Sequence, residues 1–269
     1  MSLLEISGLR VSTATQELVH GIDLTIDKGE WLAVIGESGS GKSVSAFSIA
    51  DLLPRGLTRT ADRLMFDGAD LLTLSKAGYR ELRGNRIAYV FQDYQQAFSP
   101  YYRIGKQLDE VLKAHTDWKP ERRREHAAAT LERLSLPGDL LHRYPFQVSG
   151  GQLQRAALAA AILLDPALII ADEPTTALDA VNASLVLDQL ADIQKEKGCS
   201  VLFITHNLRL AGKFADTMAI MQDGCVKERG TVSDIFTAPK AAITRNLIAA
   251  IPPLRNIPAR LPVALEGVA

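Results

Sequence analysis

The chain has 269 residues, a formal net charge of −1 and two cysteines. That length suits one large domain, or a domain carrying a subdomain, with a substantial core, and near-neutrality removes any long-range pull toward nucleic acid or anionic lipid. Cys199 and Cys225 are too few for a disulfide framework or a four-cysteine metal site, and read as reduced, half-buried thiols.

Residues 1–30 lack the basic, apolar and small-residue layout of a signal peptide. The longest uninterrupted apolar run, Ala156 to Leu164, falls far short of the about 20 residues a membrane span needs. The sequence is therefore expected not to cross a membrane by itself.

Leu3 to Ile6 and Leu18 to Ile26 read as strands, the second with partial alternation, and Asp27-Lys28-Gly29-Glu30 as the turn that follows. Trp31 to Ile35 is a short apolar run of the kind a buried strand shows. Directly after it stands Gly36-Glu37-Ser38-Gly39-Ser40-Gly41-Lys42-Ser43, a match to the phosphate-loop pattern. Val44, Phe47 and Ala50 then recur at near-helical spacing, and Pro54 closes the segment. In such a strand–loop–helix unit the glycines let backbone N–H groups curl round a polyphosphate. The helix adds the positive end of its dipole. Lys42 is placed to reach the terminal phosphates and Ser43 to hold Mg²⁺.

Leu64 to Gly68 is a further short strand with its turn, and Ile87 to Phe91 an apolar strand with Gln92 and Asp93 at its C-terminal end. Ligands of open α/β sheets sit at strand C-termini, so Gln92 is a candidate for contacting Mg²⁺ or water near a γ-phosphate. From about Ala97 to Gln147 helical patterns replace strands. One carries Ile104, Leu108, Val111 and Leu112; another starts at Pro120-Glu121 and carries Leu131 and Leu134. Arg122-Arg123-Arg124, flanked by Glu121 and Glu125, reads as a solvated helix face. The block, about residues 97–165, is expected to be a helical subdomain inserted into an α/β core.

Ser149 is a good N-cap for a helix starting near Gly151, and Gly150, Gly151 and Gln152 bare its backbone as a second anion site. A single nucleotide does not need two such sites from one chain, so the second is expected to serve a nucleotide held mainly by another subunit. Leu168 to Glu173 is an apolar strand ending in two acids. Asp172 is placed to position Mg²⁺, and Glu173 is the natural general base for a water attacking the γ-phosphate. A turn through Asp179 leads into a helix with Leu185, Leu187, Leu190 and Ile193. Cys199 to Ile204 is another buried strand, putting Thr205 and His206 at the same sheet edge as Lys42, Gln92 and Glu173, with His206 as a γ-phosphate contact. Met218 to Met221 and Cys225 to Lys227 flank an Asp223-Gly224 hairpin turn. The tail, with Pro252, Pro253, Pro258 and Pro262, reads as a loosely held extension in its last part.

In order and spacing, the glycine loop, Gln92, Val148 to Gln152, Asp172-Glu173, Asp179 and His206 resemble the ATP-binding subunits of ABC transporters. The likeness covers roughly residues 3 to 235. In that family these segments are the Walker A loop, Q-loop, signature, Walker B with its catalytic glutamate, D-loop and H-loop. The resemblance implies a P-loop NTPase of α/β class with an antiparallel β subdomain, the nucleotide-binding domain spanning 1–237 and a C-terminal extension 238–269. It implies ATP and Mg²⁺ as ligands. It also implies a head-to-tail dimer, with ATP between one chain's Walker A loop and the other's signature.

More narrowly, Gly36 to Ser43 and Ile170 to Asp179 are similar to the peptide and nickel importer branch. Leu18-Val19-His20-Gly21, Tyr144-Pro145-Phe146 and Ala238-Pro239-Lys240 with Thr244-Arg245 look like nickel-import ATP-binding proteins. Peptide-importer relatives often carry a cysteine cluster in the tail, and no cysteine follows Cys225 here, which favours the metal branch. The expected partners are a second, sister ATPase subunit, two permeases and, indirectly, an extracytoplasmic binding protein, with the segment Phe98 to Arg103 as a docking surface. The expected location is the cytoplasmic face of a bacterial inner membrane, reached only through the permeases.

A dipeptide or oligopeptide importer is the second reading, and a soluble non-transport ABC ATPase or a non-catalytic nucleotide-binding regulator the third. The chain departs from the family in one respect. An aromatic that stacks on adenine is usual some two dozen positions before the Walker A loop, yet residues 1–30 contain no Phe, Tyr or Trp, and Thr13 stands near that place. Weak adenine discrimination is the expected consequence.

Overall fold

The computed structural model describes residues 1–176 and 180–251, the side chains of 180 and 181 excepted. Asp179 and the tail prolines Pro252, Pro253, Pro258 and Pro262 lie outside the described residues.

Two sheets organise the chain. In the first, β1 (Ser2–Ser12) pairs antiparallel with β2 (Glu17–Asp27) and carries β4 (Thr58–Thr60) and β5 (Arg63–Phe66) beside it, with β6 (Ala69–Asp70) on β5. β1 runs past the expected Leu3 to Ile6. The register slips between Ile6 and Leu9, where Gly8 takes φ 61°, and Leu9 and Val11 are again buried. That bulge interrupts the apolar pattern without ending the strand.

The second sheet runs in the order β11 (Cys225–Thr231), β10 (Thr217–Gln222), β3 (Trp31–Ile35), β9 (Ser200–Thr205), β8 (Leu168–Asp172), β7 (Ile87–Val90). β10, β3, β9, β8 and β7 are parallel, and β11 returns antiparallel through Asp223 and Gly224, both at positive φ as a type I′ hairpin turn requires.

Strand parity divides the core in two. Ala33, Ile169, Ala171, Val201 and Phe203 face one apolar cluster, shared with α3 (Ile104–His115), α4 (Pro120–Arg133), α5 (Gly150–Ile162) and α6 (Ala180–Lys197). Leu32, Val34, Leu168, Ile170, Leu202 and Ile204 face the other, shared with the antiparallel sheet and α1 (Lys42–Ile49). Apolar residues on both faces explain why these strands read as uninterrupted runs. α3, α4 and α5 lie between β7 and β8, where the sequence loses its strand signal.

Three local expectations need correction. Arg123 is not on a solvated face: it is 9% exposed, with Nε and Nη2 donating to Asp109 of α3 at 2.6 and 3.3 Å and Nη1 to the Trp118 carbonyl. On α6 the buried stripe is Ala183, Val186, Leu187, Leu190 and Ile193, while Leu185 is exposed; the i, i+3, i+4 spacing selects Val186. The short helix α2 (Lys76–Leu82), capped by Ser75, gives no strong periodic signal and was not expected. After α7 (Leu208–Phe214) and α8 (Val232–Thr237), α9 (Ala242–Ala249) packs Ile243, Leu247 and Ile248 on the core. Its start is fixed by Glu228, which accepts from the backbone N–H of Lys240 and Ala241.

Candidate functional site

Register places every catalytic candidate on one edge. Ile35 lies opposite Thr205, Asp172 opposite Ile204 and Val90 opposite Ala171, so the loops after β3, β9, β8 and β7 leave the sheet together. Between them is a cavity of about 550 Å³ lined by residues that include Lys42, Ser43, Gln92, Glu173 and His206. Ser38, Gly39, Gly41, Val44 and Leu18 of β2 complete its wall.

The loop's glycines are dictated by space and by backbone sign. A Cβ on Gly36 would lie 2.1 Å from the Met221 carbonyl oxygen. Gly41, the residue before α1, has φ 97°, and a Cβ there would press on Met221 and on the Leu18 carbonyl. Lys42 is 6% exposed and donates to the carbonyls of Gly36 and Glu37 at 2.8 and 2.7 Å and to Ser40 Oγ at 3.3 Å. Burial lowers its pKa, opposed by the nearby Glu173, Asp172 and Glu37.

Asp172, at 2% exposure, is met from both sides: Ser43 Oγ donates to Oδ1 at 3.0 Å and the Tyr89 hydroxyl to Oδ2 at 2.9 Å. Burial raises the pKa of this carboxyl, and the two donors oppose that rise. Glu173 has φ 44°, a left-handed conformation that costs a residue with a side chain of order 1–3 kcal/mol. Its N–H donates to the Ile204 carbonyl, locking the turn onto β9. Its carboxylate then collects three groups: Thr176 Oγ1 donates to Oε2 at 2.8 Å, Gln92 Nε2 reaches the same oxygen at 3.5 Å, and His206 Nδ1 lies 3.2 Å from Oε1.

Ser149, Gly150, Gly151 and Gln152 are elsewhere. They open α5 one residue earlier than expected, as a reciprocal capping box: Gln152 N–H donates to Ser149 Oγ at 3.3 Å and Ser149 N–H to Gln152 Oε1 at 3.0 Å. None of the four lines the cavity. Phe146 just before them is 72% exposed.

Sequence reasoning missed Leu18, Tyr89 and Thr176. Thr13, near the place expected for an aromatic, holds its own hairpin loop, its Oγ1 accepting from the N–H of Gln16 at 2.9 Å; Leu18 supplies the apolar wall instead. Among the described residues no helix is long and apolar enough to cross a membrane.

Comparison with known proteins points to one family. The family model "ABC transporter" matches residues 19–176. The metal-staphylopine import ATP-binding protein CntD of Staphylococcus aureus is 40% identical, over 92% of this chain and 93% of its own length. The oligopeptide transport ATP-binding protein OppD of Bacillus subtilis is 37% identical, over 94% of this chain and 73% of its own. Among solved structures, the ATP-binding cassette MJ0796, a dimer in a post-hydrolysis state with ADP and Pi, superposes with a TM-score of 0.75 at 25% identity, over 85% of this chain and 98% of that one.

Proposed function

The chain belongs to the ABC transporter family, and from that premise we propose that it is the ATP-hydrolysing, energy-coupling subunit of an importer. The observation that carries this reading is the convergence of Lys42, Gln92, Glu173 and His206 on one cavity at the C-terminal sheet edge. A nucleotide-binding regulator would need the loop and Lys42 but no oriented carboxylate. Here Glu173 is held by Thr176 and His206, with Gln92 alongside.

Under this reading the loop N–H groups and Lys42 bind the ATP phosphates, Lys42 exchanging its own loop carbonyls for phosphate oxygens. Glu173 takes a proton from the water that attacks the γ-phosphorus as the bond to the bridging oxygen breaks, leaving ADP and inorganic phosphate. His206 contacts the γ-phosphate and keeps Glu173 turned inward. The oxygen donors Ser43, Asp172 and Gln92 are the hard ligands that suit Mg²⁺. That ion, when bound, neutralises charge on the β- and γ-phosphate oxygens. Ser149, Gly150, Gly151 and Gln152 serve the ATP held by a partner chain, a sister ATPase subunit.

Two permeases complete the assembly at the cytoplasmic face of the membrane, with an extracytoplasmic binding protein delivering the cargo. A groove of about 320 Å³ lined by Phe91, Ala97, Val111 and Ala157, among others, supports permease docking beside the helical unit, taken as about 97–165. In the segment Phe98 to Arg103, Tyr101 is 83% and Tyr102 46% exposed, whereas Phe98 is buried and serves the core. The proposed cargo is a metal chelate, nickel among the metals, supported by the likeness to the metal-staphylopine relative. A short peptide, as in the oligopeptide relative, is the second reading.

Reconstitution with the sister subunit and permeases in vesicles tests both levels. ATP-dependent uptake of a labelled nickel chelate is expected. Glu173→Gln should lower hydrolysis by about 10²–10⁴-fold, the usual worth of a general base, while ATP is still bound. Uptake of peptides alone moves the cargo to the second reading. Hydrolysis indifferent to permeases, with neither cargo moved, would remove the transport assignment.

A further inference from the structure

We propose that Tyr89 is a positioning residue for Asp172: its hydroxyl fixes the carboxylate that orients Mg²⁺ at the nucleotide. The proposal rests on the reading of Asp172 as the Mg²⁺-positioning acid, and goes beyond it by naming what holds that acid in place.

Strand parity brings the two together. Tyr89 of β7 lies opposite Ile170 of β8 in the parallel register, and Ile170 faces the cluster shared with α1. Asp172, two residues on, has the same parity. The Tyr89 ring therefore rises beside the carboxylate on the α1 side of the sheet. It stacks on Phe47 of α1, with centroids 5.1 Å apart and planes at 14°, and meets Phe91 at 4.5 Å. Those contacts fix the ring, and a fixed ring aims its hydroxyl at Asp172 Oδ2 over 2.9 Å.

The division of labour between the two donors supplies the argument. A carboxylate with 2% exposure must find its hydrogen bonds inside the protein. Ser43 donates to Oδ1, but Ser43 belongs to the phosphate loop, and its hydroxyl is claimed by the nucleotide and its ion. The Tyr89 hydroxyl belongs to the sheet and has no such duty. It pins Oδ2 whatever Ser43 does, so Oδ1 stays directed at the loop. Without it the carboxylate loses one of its two donors and its fixed orientation.

Tyr89→Phe removes the hydroxyl and keeps the ring stack, so the fold is retained; an unchanged melting temperature checks this. The measurement is Mn²⁺ binding, followed by electron paramagnetic resonance, to the ATP complex of a Glu173→Gln chain, with and without Tyr89→Phe. ATP binding in EDTA is measured alongside, and Asp172→Ala serves as the comparison. The expected result is a rise of about tenfold in the Mn²⁺ dissociation constant, as suits one hydrogen bond to a charged group, with metal-free ATP binding unchanged. If Asp172→Ala weakens Mn²⁺ binding and Tyr89→Phe does not, the proposal is overturned and the site stands. If neither changes it, the reading of Asp172 fails and takes the proposal with it. If Tyr89→Phe lowers metal-free ATP binding and melting temperature together, Tyr89 is a core residue and the proposal is wrong.

Discussion

The phosphate loop and the start of α5 offer anions the same chemistry, bare N–H groups at a helix N-terminus, yet they are built in opposite ways. The first is finished. Lys42 is buried, and Asp172 and Glu173 are held by side chains from β7, α1 and the loops after β7 and β9. The second is satisfied only by itself: Ser149 and Gln152 cap each other, the surface around them is open, and Phe146 projects into solvent. A site that draws its groups from four strands of one chain can bind alone. A site with a cap and an exposed aromatic leaves room for a second surface. Under the proposed function, the contrast separates the half of a catalytic unit that this chain completes from the half it would lend.

Breaking the finished half should show in binding by the isolated chain. Lys42→Ala removes a cation that makes three hydrogen bonds within the loop, and the ATP dissociation constant is expected to rise on the order of a hundredfold, the worth of charge-assisted bonds to phosphate. Isothermal titration checks it; an affinity within threefold of the parent would mean that Lys42 only braces the loop. The lent half is tested by Ser149→Asp, because aspartate caps a helix as well as serine does but sets a negative charge where a partner's phosphate would arrive. The melting temperature and the isolated chain's ATP affinity are expected to stay put, while hydrolysis by the assembled pair falls by about tenfold or more from like-charge repulsion. Equal activity of the assembled pair would show that α5 begins with an ordinary cap.

What was legible in the sequence follows the same divide. The strands around the phosphate loop are buried on both faces, so each one reads as an apolar run bounded by turn residues, and the acids and the histidine fall at their ends by simple continuation. Pairings across strands or helices are not legible, because they depend on spatial order. Arg123 sits in a basic run that reads as surface, and only the packing of α4 on α3 brings Asp109 to it. Tyr89 and Asp172 meet only because β7 and β8 are neighbours. The left-handed backbone of Glu173 carries no sequence signal at all, since glycine or asparagine would announce it and glutamate does not. α2 is short and closed by a cap, and its seven residues give too few turns for a period to emerge.

The smallest expected effect concerns the base. The finished half is rich in groups for phosphate and poor in groups for adenine: Leu18 gives the cavity an aliphatic wall, and Thr13 is occupied in its hairpin. Stacking on an aromatic is worth about 1–3 kcal/mol per base, and a leucine side chain supplies apolar contact without a π-face. The phosphates then carry most of the affinity, so ATP and GTP should bind within about threefold of each other, and inorganic tripolyphosphate within about tenfold of both. Competition against a fluorescent nucleotide measures all three. Leu18→Tyr sharpens the test, since every base presents a π-face: ATP and GTP should gain affinity together while tripolyphosphate is unmoved. A parent protein that already prefers ATP by more than about tenfold would place a base-reading group in this cavity, and an unchanged ATP affinity in Leu18→Tyr would mean that the base lies away from β2.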